Sequence, residues 1–155
     1  MFRNTRNYLS LTAALLMALL VLSCAKQAEE KSRVISFLGT VNITRAADAQ
    51  RPVVLGEELK DGDRIATGPA SFLVFSAGGS AVARIQPESD LVLTSIADMS
   101  KIDLGLNKGC VLNRVNKLAK GAGYRVTTPT VVASVRGTAF SVNTDEDSGA
   151  VAVKN

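Results

Sequence analysis

Thr127-Thr128-Pro129-Thr130-Val131-Val132-Ala133-Ser134-Val135-Arg136-Gly137-Thr138-Ala139-Phe140-Ser141-Val142 is the stretch whose reading decides the fold. It holds two β-branched runs, the first opened by a proline and the second by Arg-Gly-Thr, with no helix-forming segment long enough to compete. The same punctuation continues outward on both sides. From Val34 onward, short β-rich runs are separated at intervals of about 8 to 12 residues by Gly, Asp, Asn and Pro, the signature of an all-β domain. Strands are expected over 34–38, 41–45, 64–66, 71–75, 81–85, 90–93, 101–106, 109–114, 123–127, 131–136, 138–143 and 150–153. Lys101-Ile102-Asp103-Leu104-Gly105-Leu106 alternates polar and apolar, which puts Ile102, Leu104 and Leu106 on one face. Phe72-Leu73-Val74-Phe75 is continuously apolar and is expected to be covered on both sides. Asp61-Gly62 and Gly78-Gly79 supply the positive φ that tight hairpins need.

The chain has 155 residues, of which 46% are apolar and only 5% aromatic, with no Trp. One domain with a modest core of small β-branched residues fits these proportions. The first segment is set aside: Arg3 and Arg6 precede an apolar run over 11–22 that ends in Ser23-Cys24, the plan of a secretory signal too short for a confident membrane span. Val21-Leu22-Ser23-Cys24 resembles a bacterial lipobox, with Leu22 departing from the usual small residue in a way that spirochaetal lipoboxes tolerate. The resemblance implies cleavage before Cys24 and a covalent diacylglyceryl lipid, labelled by palmitate, on that cysteine. The expected organisation is a signal peptide over 1–23, a polar lipidated tether over 24–33, and a β-domain over 34–155.

The opening stretch resembles the FecR-domain signature through T-P-T-V-V-A-S-V-R-G-T-A-F-S-V, and G-E-E-L-K-D-G-D-R-I-A-T-G over 56–68 is similar to that family's early pattern. Together they extend the resemblance over about 34–153. It implies a compact β-roll or irregular β-solenoid of about ten to twelve short strands. The family pattern usually runs on past the strand after Arg-Gly-Thr, so a last strand is expected to be missing here, by truncation or leaving an exposed edge.

Without the leader, the chain carries 16 basic and 14 acidic residues. Between Leu104 and Thr144 lie Lys108, Arg114, Lys117, Lys120, Arg125 and Arg136, and no carboxylate. Lys108, Arg114, Lys117, Lys120 and Arg125 are the candidates for contact with an anionic partner, an envelope protein or envelope polymer, and Lys117-Leu118-Ala119-Lys120-Gly121-Ala122-Gly123, read as a mobile loop, is the best candidate among them. The opposing reading is that alternate strand positions send these charges in several directions. Nucleic acid is not an expected partner, because export separates the two and no stacking aromatics accompany the charges.

The chain contains no His, which excludes Ser-His-Asp and Cys-His catalysis and histidine metal sites. The carboxylates at Asp61/Asp63 and Asp145-Glu146-Asp147 sit among turn residues and read as backbone acceptors. No catalytic residue, metal or cofactor is expected beyond the lipid. With Cys24 lipidated, Cys110 is left alone and reads as a small buried hydrophobe. Arg136-Gly137-Thr138 admits two readings, a recognition site for a carboxylate or phosphate and a structural corner, and the corner is favoured. The best functional reading is an exported, lipid-anchored binding module at the cell envelope, on either membrane or the cell surface. A FecR-type sensory component of signal transduction or iron-uptake regulation is the alternative, and an enzyme of unrecognised type is a distant third.

Overall fold

The computed structural model describes residues 31–45, 48–97, 100–116, 118, 120–145 and 148–154. Cys24, Lys117 and the signal segment lie outside them. Every regular element among the described residues is a strand, so the all-β expectation holds. The strands are β1 (Arg33–Leu38), β2 (Val41–Thr44), β3 (Arg51–Pro52), β4 (Arg64–Thr67), β5 (Phe72–Ala77), β6 (Ala81–Ile85), β7 (Asp90–Ser95), β8 (Lys101–Val115), β9 (Gly123–Thr127), β10 (Val132–Val135), β11 (Ala139–Asp145) and β12 (Ser148–Lys154). They form one curled 12-stranded sheet. Its half A runs β1-β5-β6-β8-β11-β12 and its half B runs β3-β2-β4-β7-β8-β9-β10. All pairs are antiparallel except β8 with β9.

The two halves share β8. Its first part buries Ile102, Leu104 and Leu106, the face read from the alternation, and its second part buries Val111, Asn113 and Val115. The inward phase therefore changes from even to odd positions. The change occurs at a bulge, where Asp90 pairs with Lys108 but Leu91 pairs with Leu106, followed by Gly109 at φ 90°. Two strands were expected where one runs through, because Asn107-Lys108-Gly109 has the chemistry of a turn. The short β3 was not expected at all, since two residues ending in proline carry no period.

A clasp built from the same parts occurs twice. In Pro69-Ala70-Ser71 and Pro87-Glu88-Ser89 the middle residue has positive φ, 52° and 54°, which turns the serine hydroxyl back to donate to the proline carbonyl at 2.9 and 3.1 Å. Each hydroxyl also accepts a backbone N–H, from Thr40 at 2.9 Å and from Cys110 at 3.0 Å. The residue before each proline donates its N–H to the same partner, Gly68 to the Thr40 carbonyl and Gln86 to the Cys110 carbonyl, both at 2.9 Å. In both clasps the serine lies against a glycine of positive φ, Gly39 and Gly109, where no Cβ fits.

The core between the halves is aliphatic, with Tyr124 and Phe140 in edge-to-face contact at 5.9 Å. Tyr124 is fully buried and donates to Asn113 Oδ1 at 2.6 Å, so the burial of both polar groups is compensated. That burial pushes the phenol far above its usual range and keeps it a donor. Phe72-Leu73-Val74-Phe75 departs from expectation. Leu73 and Phe75 are buried, whereas Phe72 and Val74 are half-exposed on the outer face, with the Arg84 guanidinium 4.2 Å over the Phe72 ring. Cys110 is likewise half-buried rather than buried, on that same outer face beside Asn143. Its partial burial raises the thiol pKa and disfavours the reactive thiolate.

Candidate functional site

The parallel pairing of β8 with β9 sets Lys101 opposite Gly123 and Asp103 opposite Arg125, while β10 sets Ser134 opposite Arg125. Ser95 stands opposite Asp103 on the other side. A polar row, Ser95, Asp103, Arg125 and Ser134, therefore crosses the outer face of half B. At the end of this row the chain leaves β10 through Arg136-Gly137-Thr138 and crosses to half A, where the Thr138 carbonyl accepts the Val115 N–H at 3.1 Å. Between the row, the crossover and the turn at Gly121-Ala122-Gly123 lies an open groove of about 1000 Å³.

Its charged lining is Lys101, Arg125, Arg136 and a single carboxylate, Asp103. Arg125 lies 3.5 Å from Asp103, a loose pair on a wet surface worth little to stability. Lys101 and Arg136 are exposed and make no hydrogen bond or ion pair among the described residues. Gly137 takes φ 128°, consistent with the corner reading of this motif, and Arg136 lines the groove. On its far side β10 has no strand partner among the described residues.

The candidate basic residues do not share one surface. Arg125 is in the groove and Lys120 is exposed one residue before the turn that lines it. Arg114 projects from the outer face of half A, opposite Val82 and Ala139, and Lys108 sits at the β8 bulge beside Asp90. Lys101, Asp103 and Ser134 were missed as site residues. Lys101 and Asp103 fall just before the carboxylate-free run, and Ser134 carries no charge to mark it.

Of the acidic residues read as backbone acceptors, Asp61 and Asp63 accept backbone N–H groups. Asp61 accepts the Ile96 and Ala97 N–H groups at 2.6 and 3.0 Å. Asp63 is fully buried, accepts the Lys60 N–H at 2.9 Å, and binds Arg45 through two bonds of 2.8 and 2.7 Å. Arg45 also approaches Glu57 at 3.6 Å, and Glu57 pairs with Arg51. No group of His, Cys, Asp and Glu among the described residues could hold a metal ion.

The groove, the polar row and the Arg-Gly-Thr crossover all fall within residues 63–155, which match a family model described as FecR protein and make up more than half of the chain. The chain belongs to the FecR family. No curated protein and no solved structure matches it. The FecR match takes in β4 to β12 and leaves β1 to β3 ahead of it, so the 56–68 pattern enters it only from Asp63. FecR is not an enzyme family, and membership is consistent with an envelope-associated sensory or regulatory module.

Proposed function

We propose that this FecR-family chain is a lipid-anchored, non-catalytic binding module of the cell envelope, and that the groove beside Arg136 receives an acidic, extended segment of a partner protein. The observation that carries this reading is the groove's lining, where among the described residues three cations face one carboxylate and the side chains of two of the three have no partner. Guanidinium groups bind carboxylates through paired, charge-assisted hydrogen bonds, which gives Arg125 and Arg136 the right chemistry for such a segment. The free edge of β10 can add main-chain hydrogen bonds to an extended peptide, which supplies affinity while the cations supply selectivity. Asp63, a fully buried carboxylate, is held by the Lys60 N–H and Arg45, and the exposed Asp61 by the Ile96 and Ala97 N–H groups, so both are already engaged.

The test is an NMR titration of the isotope-labelled protein with a hexaglutamate peptide and with hexalysine. Hexaglutamate is expected to shift the amides of Lys101, Arg125 and Ser134 to Thr138, and hexalysine to leave them still. Arg136→Glu combined with Lys101→Glu should weaken the acidic peptide's binding by roughly tenfold or more, since each removes an attraction and adds a repulsion. Equal response to both peptides would refute the groove as an acidic-segment site. For the anchor, Cys24→Ser is expected to move the protein from the membrane to the soluble fraction and to abolish palmitate labelling.

The family match favours a second reading, in which the same groove serves an extracytoplasmic sensory component. The two part on transcription: deletion of a sensory component changes expression of an envelope or iron-uptake regulon, and deletion of a simple binding module does not.

A further inference from the structure

A second surface lies at the outer edge of β1, where the turn before Glu58 meets the strand and where, past Val34, the described residues supply no further strand. Two backbone hydrogen bonds, Val34 N–H to the Glu57 carbonyl and Gly56 N–H to the Val34 carbonyl, both 3.0 Å, lock the turn at Val54-Leu55-Gly56-Glu57 against that edge. The pairing is antiparallel, so the residues before Gly56 come alongside the residues after Val34. Ile35 is bulged out of the β1–β5 ladder, since Val34 pairs with Phe75 and Ser36 with Val74. Leu55 stands at the tip of the turn and is 64% exposed, with Val54 at 59% and Ile35 at 49%. Phe37 and Leu38 follow along β1 and flank its edge from opposite sides, Phe37 opposite Leu73 on the inner face and Leu38 opposite Phe72 on the outer. These five are a majority of the nine large hydrophobics exposed among the described residues, a concentration that a solvated edge does not need.

The rim of the patch is cationic toward solvent. Lys31, Arg33 and Arg51 keep about half of their side-chain surface in water, whereas their partners Glu58 and Glu57 keep 34% and 11%. An apolar centre with outward-facing cations suits an anionic lipid surface. The position along the chain agrees. The described chain begins at Lys31, seven residues after Cys24, and seven residues span at most about 25 Å when extended. A lipid on Cys24 would hold the patch within that distance of the bilayer, and docking would become an intramolecular step that a small patch can drive.

We propose that the patch of Ile35, Phe37, Leu38, Val54 and Leu55 docks on the headgroup–acyl boundary of the bilayer that carries the anchor. The proposal rests on the lipid-anchor reading of Cys24. It orients the domain, with the Val54-Leu55 turn down and the chain's β1 edge along the surface.

The chain has no Trp, so each introduced indole is a single reporter. Leu55→Trp, Val54→Trp and, as the distant comparison, Val132→Trp, which replaces a 60% exposed residue on β10, are made in the full chain and purified as the lipidated protein. Each is reconstituted into phosphatidylethanolamine–phosphatidylglycerol vesicles with and without brominated acyl chains. Co-flotation of the comparison protein, lost in Cys24→Ser, reports the anchor alone. Docking predicts that brominated lipid quenches roughly half of the emission at 54 and 55, at an insertion depth of about 5 to 10 Å, and little at 132. Co-flotation with equal quenching at all three sites overturns docking while the anchor stands. Shielding of 54 and 55 from aqueous iodide without quenching by brominated lipid also overturns it, because a protein then covers the patch. Failure to co-float overturns the anchor reading and this proposal with it.

Discussion

Gly109→Ala is expected to remove most of the domain's stability. An alanine there must hold φ near 90°, a left-handed conformation that costs an L-residue about 1–2 kcal/mol. Its Cβ would also stand 2.2 Å from Ser89 Oγ and 2.6 Å from Ser89 Cα. The hydroxyl can rotate away, but Cα is backbone inside the Pro87-Glu88-Ser89 clasp and moves only if the clasp opens. Overpacking of that kind adds about 1–3 kcal/mol or more, so the total approaches the 5 kcal/mol or so that is the lower bound for ordinary domains. Urea denaturation of Gly109→Ala beside Gly121→Ala checks this. Gly121 has φ 93° but no atom of the described residues within 4 Å of the added methyl, so it should lose only the conformational part. Equal losses in the two variants would show that the contact with Ser89 is of no consequence.

Arg45→Met is expected to cost about 3 kcal/mol, toward the low end for breaking a buried ion pair because the arginine keeps 30% of its side chain in water. The loss arises at Asp63, a fully buried carboxylate left, among the described residues, with the Lys60 N–H. Adding Asp63→Asn removes the stranded charge while keeping an acceptor for Lys60, so the double variant should recover a substantial part of the loss in a double-mutant cycle. No recovery would place the arginine's contribution in packing instead. The neighbouring Glu57 gives the cluster a pH dependence. The hydrogen bond from Arg51 holds its carboxyl below the usual range, so its contribution is present at neutral pH and is lost as pH falls through and below that range.

The strands that could be read from sequence were those whose burial is one-sided. Ile102, Leu104 and Leu106 alternate cleanly and are buried together, because in a half-buried sheet the period of two is dictated by the backbone. The bulge at Asn107-Lys108-Gly109 could not be distinguished from a turn, since both ask for a polar residue and a glycine of positive φ. The outer face of β5 could not be read either. Phe72 is half-covered by an arginine from the next strand, and a run of apolar residues does not announce that its cover is a charged side chain. The paired clasps escaped notice for a geometric reason: Gly39 precedes its serine by 32 positions, whereas Gly109 follows its serine by 20, so no fixed spacing repeats.

The groove was legible only in fragments. Arg136-Gly137-Thr138 was singled out, and Arg125 was named with the basic run, but Lys101 joins them through the one parallel pairing of the sheet. Charge counted along the chain groups Arg114 with Arg125, while the sheet sends them to different halves. A site assembled across strands is set by register, and register between strands distant in sequence is what a single chain states least directly.

The passage of β8 through both halves of the sheet bears on what kind of device this domain can be. A pair of sheets joined by loops has a seam along which one can swing against the other. Here the seam is bridged by a continuous 15-residue strand bonded to β6, β7, β9 and β11, with Lys101 at the groove and Val115 beneath the crossover. A partner seated in the groove would meet a seam crossed by one strand, with the bulge at Lys108 and Gly109 built into it. If the groove is a docking site as proposed, such a domain would act by holding its partner in place, and a change of shape would have to come from the partner.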